Sequence, residues 1–156
     1  MILLSIDPGT ELSAYAVMDT EDYRIIAKGK IENEDMLSIV KNEYYDDIAI
    51  EMIASYGMPV GREVFETVLL IGRMMQIAYG REIIPNLVYR KDVKINLCGS
   101  TKAKDGNIRQ ALIDRFGVVG TKGKQGWFFG VSKDIWAAIS VGVTHIDEIK
   151  KQEERK

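Results

Sequence analysis

Three acidic residues stand at the ends of apolar segments, where a divalent metal site would place its ligands. Asp7 ends the first apolar run of the chain, Glu51 closes a second one, and Asp134 opens the last helical segment. In open α/β sheets, strand ends at one edge converge with helix termini, and ligands bind there. Carboxylates without His or Cys are hard oxygen ligands that suit Mg²⁺, or Mn²⁺ in its place, better than zinc. In a two-metal arrangement they would clamp the attacking and leaving oxygens of a phosphodiester.

Each of these acids also has an ordinary structural explanation. Asp7 precedes Pro8 and Gly9, and an aspartate before such a pair commonly forms a turn. Asp134 lies at a helix start, where an acid commonly caps the helix or pairs with its dipole. Glu51 is harder to explain in this way, because a buried glutamate needs compensation and metal coordination would supply it. From spacing alone both interpretations stay open.

The elements that must position these acids follow one another in the order of an α/β sheet. Apolar periodicity and the Gly and Pro residues between segments predict strands at 2–7, 14–18, 23–30, 47–51 and 83–89, and helices at 34–43, 62–79, 92–97, 105–116 and 133–149. Pro85 inside the fifth strand indicates an edge or a bend. We therefore predict one domain over 1–149, with a mixed five-stranded sheet that contains a three-stranded antiparallel meander and is flanked by helices. A charged tail is predicted at 150–156.

The composition excludes several classes of protein. Of the 156 residues, 46% are hydrophobic and 28% are charged, as in ordinary globular domains. The single cysteine, Cys98, and the single histidine, His145, exclude a disulfide framework and an intramolecular Cys/His zinc cluster. No segment approaches the ~20 apolar residues of a membrane span, and we expect no membrane partner and a reducing cytoplasm as the compartment.

The net charge of −2 conceals a segregation of charge along the chain. Residues 1–57 carry twelve acidic and four basic side chains. Residues 90–124 carry only three acidic side chains against nine basic ones, namely Arg90, Lys91, Lys94, Lys102, Lys104, Arg109, Arg115, Lys122 and Lys124. This pattern suits an acidic, metal-binding pole beside a phosphate-binding face. A solvated helical face explains the basic run equally well.

Five segments, in order, resemble the RuvC family of Holliday-junction resolvases over nearly the whole chain. They are Ile-Asp-Pro-Gly-Thr (6–10) with Ala-Tyr-Ala-Val (14–17), Ile-Ala-Ile-Glu (48–51), Phe-Glu-Thr-Val-Leu-Leu-Ile-Gly-Arg (65–73), Val-Lys-Ile-Asn-Leu-Cys-Gly (93–99) with Lys-Ala-Lys-Asp (102–105), and Asp-Ile-Trp-Ala-Ala (134–138). The resemblance implies an RNase H-like fold, and in particular the phage branch of the family. It also implies an endodeoxyribonuclease that cuts branched DNA in recombination, repair or phage DNA processing, in the cytoplasm of a bacterial host.

The same resemblance implies roles for individual residues. Asp7, Glu51 and Asp134 would coordinate two Mg²⁺ ions for phosphodiester hydrolysis. The helix at 62–79 would pack across the axis of a homodimer, whose two-fold symmetry suits the two cut strands of a junction. Lysines expected to contact backbone phosphates are Lys94, Lys102 and Lys104. Further candidates for DNA contact, from their charge or aromatic character, are Tyr56, Arg109, Lys122 and Lys124.

Three departures from the family pattern bear on specificity. Ala137 stands where the family has a second Asp, three residues after Asp134 on the same helix face. Ala54 stands where many members carry an aromatic wedge, so Tyr56 in the same loop is a candidate to replace it. The pair at 104–105 reads Lys-Asp, the reverse of the usual order. We therefore expect broader cutting of branched DNA, including Y-junctions and forks.

Two other functions stay open, and one is excluded. The chain could be an RNase H-like nuclease for RNA or R-loops, or a module that binds branched DNA without cutting it, which Ala137 makes credible. A sugar-kinase or actin-type ATPase would need a second phosphate-binding half, for which 156 residues leave no room, so no nucleotide cofactor is expected. His145 lies roughly 16 Å along the final helix from Asp134, at ~1.5 Å per residue, and is expected to be structural. Trp136 is expected in the core, and the aromatics at 127–129 either engage unstacked DNA or tuck beneath the last helix.

Overall fold

All residues from 1 to 156 are described in the computed structural model, which contains twelve elements of secondary structure. They are β1 (Ile2–Asp7), β2 (Leu12–Asp19), β3 (Ile25–Glu32), α1 (Asn33–Asn42), β4 (Asp47–Met52), α2 (Arg62–Gly80), β5 (Asn86–Tyr89), α3 (Arg90–Cys98), α4 (Asp105–Phe116), β6 (Gly120–Thr121), β7 (Lys124–Gln125) and α5 (Lys133–Glu154). The five longer strands form one sheet in the order β3-β2-β1-β4-β5, with β1 to β3 antiparallel and β4 parallel to both β1 and β5. The predicted mixed sheet and its meander are confirmed.

Alternate residues of the central strands face opposite sides of the sheet, and each side has its own core. Even-numbered residues of β1 and β4, such as Ile6 and Ile50, pack with α1 and α2. Odd-numbered residues, such as Leu3 and Ala49, pack beneath α5. Asp7 continues the odd-numbered series of β1, and Glu51 continues that of β4. Both carboxylates therefore face the α5 side of the sheet.

Small side chains allow α5 to approach the sheet closely. Gly142 marks the closest point, since a Cβ atom there would stand 2.6 Å from Met18 Sδ and 2.8 Å from Ser5 Oγ. Ser5 Oγ in turn donates a hydrogen bond to the carbonyl oxygen of Ala16 at 3.2 Å. This packing sets the height of α5 over β1 and β2, and with it the position of the first turn of the helix.

A polar contact joins α5 to the amino ends of β4 and β5, at the far end of these strands from the three acids. His145 Nε2 lies 2.7 Å from Asp47 Oδ2, at the start of β4. Asn86 Nδ2, at the start of β5, donates a hydrogen bond to Asp47 Oδ1 at 2.8 Å. His145 thus ties the helix to two strands, in keeping with the structural role expected of it.

The strands differ in detail from their predicted bounds. β5 begins at Asn86 rather than at 83, because Pro85 has no N–H to donate to a neighbouring strand. It is an edge strand, as Pro85 indicated. The hairpin of β6 and β7 lies between α4 and α5, where the sequence predicted neither a strand nor a helix.

The final helix is longer than predicted. It continues past 149 to Glu154. Lys150 Nζ donates a hydrogen bond to the carbonyl oxygen of Glu21 at 2.8 Å, and Lys151 Nζ donates one to Asn96 Oδ1 at 3.0 Å. The segment predicted as a charged tail is therefore mostly the last turns of α5. No helix of the chain is long and apolar enough to cross a membrane.

Aromatic side chains from the loop before α5 pack onto α4 and α5. Phe128 is fully buried, and its ring centre lies 4.7 Å from that of Trp136, which is buried as expected. Trp127 stacks on Phe116 at 5.7 Å and keeps 39% of its surface exposed. Of the two alternatives for these aromatics, packing beneath the last helix is correct for Phe128.

Candidate active site

Asp7, Glu51 and Asp134 line one open cleft at the carboxyl ends of β1 and β4. In the parallel register Ile6 lies beside Ile50, so the next residues of the two strands, both acidic, leave the sheet side by side. Asp134 approaches them from the first turn of α5. The cleft has a volume of about 550 Å³, and the other charged residues that line it are Arg90, Asp105, Arg109 and Lys133. The fold thus brings together the three acids on which the sequence analysis centred.

The carboxyl group of Asp7 is short of compensating positive charge. Burial and a hydrogen bond with Glu51 raise its pKa, and the negative charges of Glu51 and Asp134 raise it further, to about 9. Arg90 lowers the pKa but only in part. Carboxylates crowded in a poorly solvated site cannot all ionise, so such a cluster holds either a proton or a cation. A divalent cation would supply the missing charge.

Arg90 lies among the acids at one side of the cleft. Its Nη1 atom is 3.7 Å from Glu51 Oε1, and its Nη2 atom pairs with Asp105. Strand pairing explains this position, because Val88 of β5 lies beside Glu51 and Arg90 follows two residues later. Arg90 was predicted only as one of the nine basic residues of 90–124 and not as part of the site. The available signal was that neighbouring parallel strands end at one edge of the sheet.

Lys30 approaches the acids from the other side, where it forms an ion pair with Asp134. Its position follows from the meander, in which Asp7 pairs with Ala14 and Ala14 pairs with Lys30. Residues directly opposite one another in a sheet share a face, so Lys30 lies level with Asp7 on the α5 side. Lys30 was not among the residues predicted for the site, because its place depends on the register of three strands together.

The donor atoms fit a hard divalent cation in kind, but they do not surround a common point. No group of three His, Cys, Asp or Glu side chains is arranged to hold a metal ion. Asp134 is turned towards Lys30, while Asp7 and Glu51 share a hydrogen bond. Oxygen-only donors in a crowded, negatively charged cleft match the preference of Mg²⁺ and Mn²⁺. Metal binding here would require Asp134 to leave Lys30.

Ala137, at the position that carries a second Asp in the RuvC pattern, faces the cleft but has no side-chain oxygen to offer a metal ion. Ala137 lines the cleft through its methyl group. A fourth acid, Asp105, lines the same cleft from the start of α4, but it is paired with Arg90. Asp105 is thus the only acid that lines this cleft besides Asp7, Glu51 and Asp134.

Two of the candidates for DNA contact lie next to the acids. Tyr56 and Lys94 share a cleft of about 440 Å³ with Arg90, Lys91 and Thr101. Tyr56 also lines a smaller cleft with Asp7 and Glu51, and 64% of its surface is exposed. Arg90 lines both of these clefts and also the cleft that contains Asp7, Glu51 and Asp134, which we call the carboxylate cleft. The three surfaces are therefore continuous.

The remaining candidates are spread more widely. Arg109 lines the carboxylate cleft, with its guanidinium 5.1 Å from the ring centre of Trp136. The other four candidates are exposed and line none of the three clefts that contain Asp7; they are Lys102, Lys104, Lys122 and Lys124. Lys102 and Lys104 lie just before α4, and the other two lie in the β6–β7 hairpin. Their contact with DNA stays a prediction.

The fold of the whole chain is shared with solved structures of RuvC. A Thermus thermophilus RuvC structure matches with a TM-score of 0.75 at 14% identity, covering 97% of this chain and 97% of that one. The chain has the RuvC-type fold. T. thermophilus RuvC in complex with a Holliday junction substrate matches the chain with a TM-score of 0.74 at 13% identity, covering 97% and 96%. The RNase H-like architecture implied by the sequence resemblance is confirmed.

At these identities the likeness to RuvC establishes the fold alone. No protein-family model and no curated protein sequence matches the chain. These two structures come from T. thermophilus and give no support to the phage branch of the family. The phage origin and the bacterial host stay predictions from the sequence.

Proposed function

We propose that this RuvC-type protein is a divalent-metal-dependent endonuclease that cuts branched DNA, including Holliday junctions, Y-junctions and forks. Its place would be in recombination, repair or phage DNA processing. The observation that carries the proposal is the meeting of Asp7, Glu51 and Asp134 in one cleft, at strand ends and a helix start. A structure of this fold has been solved with a Holliday junction substrate bound. Metal-dependent phosphodiester hydrolysis uses such a cluster of carboxylates to hold cations against the phosphate.

In this proposal the three carboxylates hold two Mg²⁺ ions, or Mn²⁺ in their place. The bound metal supplies Lewis acidity and the positive charge that activates water and neutralises the phosphate. Asp7 releases its proton when it becomes a ligand, because metal ligation requires the ionised carboxylate. Arg90 restrains Glu51 and Asp105 through its two ion pairs. Arg109, at the wall of the cleft, attracts the DNA backbone.

The surface beside the cleft supports DNA as the substrate. Lys94 lies in the adjoining cleft with Arg90 and Lys91, which makes a cationic track for phosphates next to the acids. Tyr56 at the border of both clefts offers an exposed ring on which an unpaired base can stack. We propose that Lys94 binds the backbone near the cut and that Tyr56 takes the place of the missing aromatic wedge.

The exposed face of α2 supports a homodimer. Phe65, Leu69 and Tyr79 are 60%, 70% and 50% exposed. Leu69 follows Phe65 by four residues and Tyr79 follows it by fourteen, so all three lie along one side of the helix. Gly72 lies on the same side, with nothing within 4 Å of the Cβ position. A row of large apolar side chains in water is typical of a surface that another protein covers. We propose that a second copy of the chain covers it, so that two cleavage sites face the two strands of a junction.

Cleavage of labelled DNA tests this function directly. The substrates are a four-way junction, a Y-junction and a linear duplex, each with Mg²⁺ or with EDTA. We expect nicks at the branch point that need Mg²⁺ and vanish in Asp7→Asn, with the duplex left intact. Asp114→Asn is the matched control, because Asp114 is exposed on α4 and its hydrogen bond from Gln110 survives an amide.

The same assay separates the other candidate functions. Tight binding of the junction without cleavage in Mg²⁺ or Mn²⁺ would reject the nuclease in favour of a binding module, an alternative favoured by Ala137 and by the ion pair of Asp134 with Lys30. Cleavage of an RNA strand or an R-loop in preference to the DNA junction would identify a nuclease of RNA–DNA substrates. In either case DNA binding through the cleft lined by Arg90, Lys91 and Lys94 should weaken steeply as the salt concentration rises.

A further inference from the structure

Lys30 forms an ion pair with Asp134, the only acid of the site that lies on α5. Its ammonium group pairs with Asp134 Oδ2, and 41% of each side chain is exposed. Both residues line a cleft of about 370 Å³ that also contains Asp7. The pair therefore spans the entrance to the carboxylates, from the edge strand β3 to the first turn of α5.

The partners of the site show that Asp134 and the other acids are held differently. Asp7 and Glu51 lie side by side at the ends of neighbouring strands, and Glu51 Oε1 lies 3.7 Å from Arg90 Nη1. Asp134, in contrast, has an ion pair with a flexible, well-solvated lysine. An exposed ion pair is worth little in stability, so it is readily broken when a more highly charged partner arrives.

A divalent cation and the Lys30 ammonium compete for the same carboxylate. The oxygen that pairs with Lys30 is a donor that a metal bound among the three acids would need. An ammonium within hydrogen-bond reach of a ligand also repels an approaching cation directly. Ala137 adds no carboxylate, and Asp105 is already paired with Arg90, so the loss of Asp134 to Lys30 removes one of the three proposed ligands.

We propose that Lys30 is a built-in competitor that holds Asp134 in the metal-free protein and is displaced when a divalent cation binds. Lys30 then sets the metal affinity of the site, which it weakens. The proposal rests on the proposed function for the identity of the ligands. It adds a residue on β3 that controls how readily the site is loaded.

The test is Mn²⁺ binding to the full chain without DNA, measured by isothermal titration calorimetry at low ionic strength. Lys30→Met removes the charge and keeps the aliphatic stem. Lys28→Met is the matched control, because Lys28 lies two residues away on the same face of β3 and forms no ion pair. We expect Lys30→Met to bind Mn²⁺ about fivefold more tightly than wild type, equivalent to about 1 kcal/mol. Lys28→Met should change the affinity less than twofold.

A second readout uses unfolding rather than binding. In EDTA, Lys30→Met should melt within a degree or two of wild type, since an exposed pair contributes little. At a fixed Mn²⁺ concentration its melting temperature should rise further than that of wild type, because tighter binding stabilises the folded state more. Lys30→Gln gives the same comparison if the methionine variant folds poorly.

The outcomes separate this proposal from the proposed function. Wild type that binds Mn²⁺ and cuts DNA, with both Lys30 variants binding no more tightly, would overturn the role of Lys30 alone. Binding in Lys30→Met together with weak or undetectable binding in wild type would support it strongly. Absence of Mn²⁺ binding in wild type and in both variants would overturn the role of Lys30 and the metal-dependent function together.

Discussion

Replacing Asp7 by asparagine removes the carboxyl group whose ionisation is opposed most strongly by burial and by the neighbouring acids. Its pKa is raised by burial, by the hydrogen bond with Glu51 and by nearby carboxylates, from the ordinary 3.8 to about 9. A raised pKa means that the stability linked to this group is complete below pH 3.8 and is lost as the pH rises towards 9. The metal-free wild-type protein should therefore become less stable across that range. Asp7→Asn keeps the shape of the side chain and removes the charge.

The expected magnitude follows from the pKa shift. Each pH unit above the ordinary pKa costs the folded state at most about 1.4 kcal/mol. Water in the open cleft and relaxation of the side chains reduce the sum, and we expect Asp7→Asn to stabilise the metal-free protein by about 2 kcal/mol at pH 8. For a chain of this size that is a rise in melting temperature of roughly 4–8 °C. At pH 5 the gain should be much smaller.

Thermal unfolding in EDTA at pH 5, 7 and 8.5 measures this effect. Asp7→Asn should melt above wild type by a margin that grows with pH, while Asp114→Asn should follow wild type at every pH. Mg²⁺ should raise the melting temperature of wild type more than that of Asp7→Asn, because the cation relieves the repulsion that the substitution has already removed. An Asp7→Asn protein that is less stable than wild type at pH 8.5 would refute the argument from crowded carboxylates. The cleavage assay is independent of this result, so an inactive but more stable variant is the expected combination.

The packing of α5, the buried Asp147 and the exposed row on α2 have measurable consequences of their own. Gly142→Ala should lower the free energy of unfolding by about 1–3 kcal/mol, because the added methyl group meets side chains of β1 and β2. Gly72→Ala is the control: with open space around Gly72, it should leave the free energy of unfolding unchanged or raise it by up to about 1 kcal/mol. Equal effects of the two substitutions in urea unfolding would contradict the close approach of α5. Asp147 is 11% exposed and accepts two hydrogen bonds of 2.8 Å from Arg115. Burial raises its pKa, but the bonds from Arg115 and its other partners outweigh burial and hold the pKa below 3.8, so Asp147→Asn should cost about 2–3 kcal/mol at pH 7 and progressively less as the pH falls below 3.8 and wild type itself loses this contribution. Leu69→Asp should convert a dimer into a monomer in light scattering, and a wild type that is monomeric at high concentration would reject the proposed dimer face.

The sequence by itself determined much of the fold and singled out the three acids that the fold brings together. Strand and helix periodicity are local properties, so the order of strands and helices could be predicted without tertiary contacts. Asp7, Glu51 and Asp134 were identified because each stands where an apolar element begins or ends. The edge position of β5 followed from Pro85, since a missing N–H is a property of one residue. The segregation of charge was likewise visible in the chain itself.

Tertiary structure decided what surrounds those acids. Lys30 reaches Asp134 only because two antiparallel registers place it level with Asp7, and Arg90 reaches Glu51 only because β5 pairs with β4. The end of α5 depends on contacts too, since Lys150 reaches across to the carbonyl oxygen of Glu21. Charge partners distant in sequence leave no periodic pattern, because their distance is set by strand register and helix packing rather than by spacing along the chain. The sequence therefore predicts which acids form the site, while the fold decides which basic side chains lie beside them.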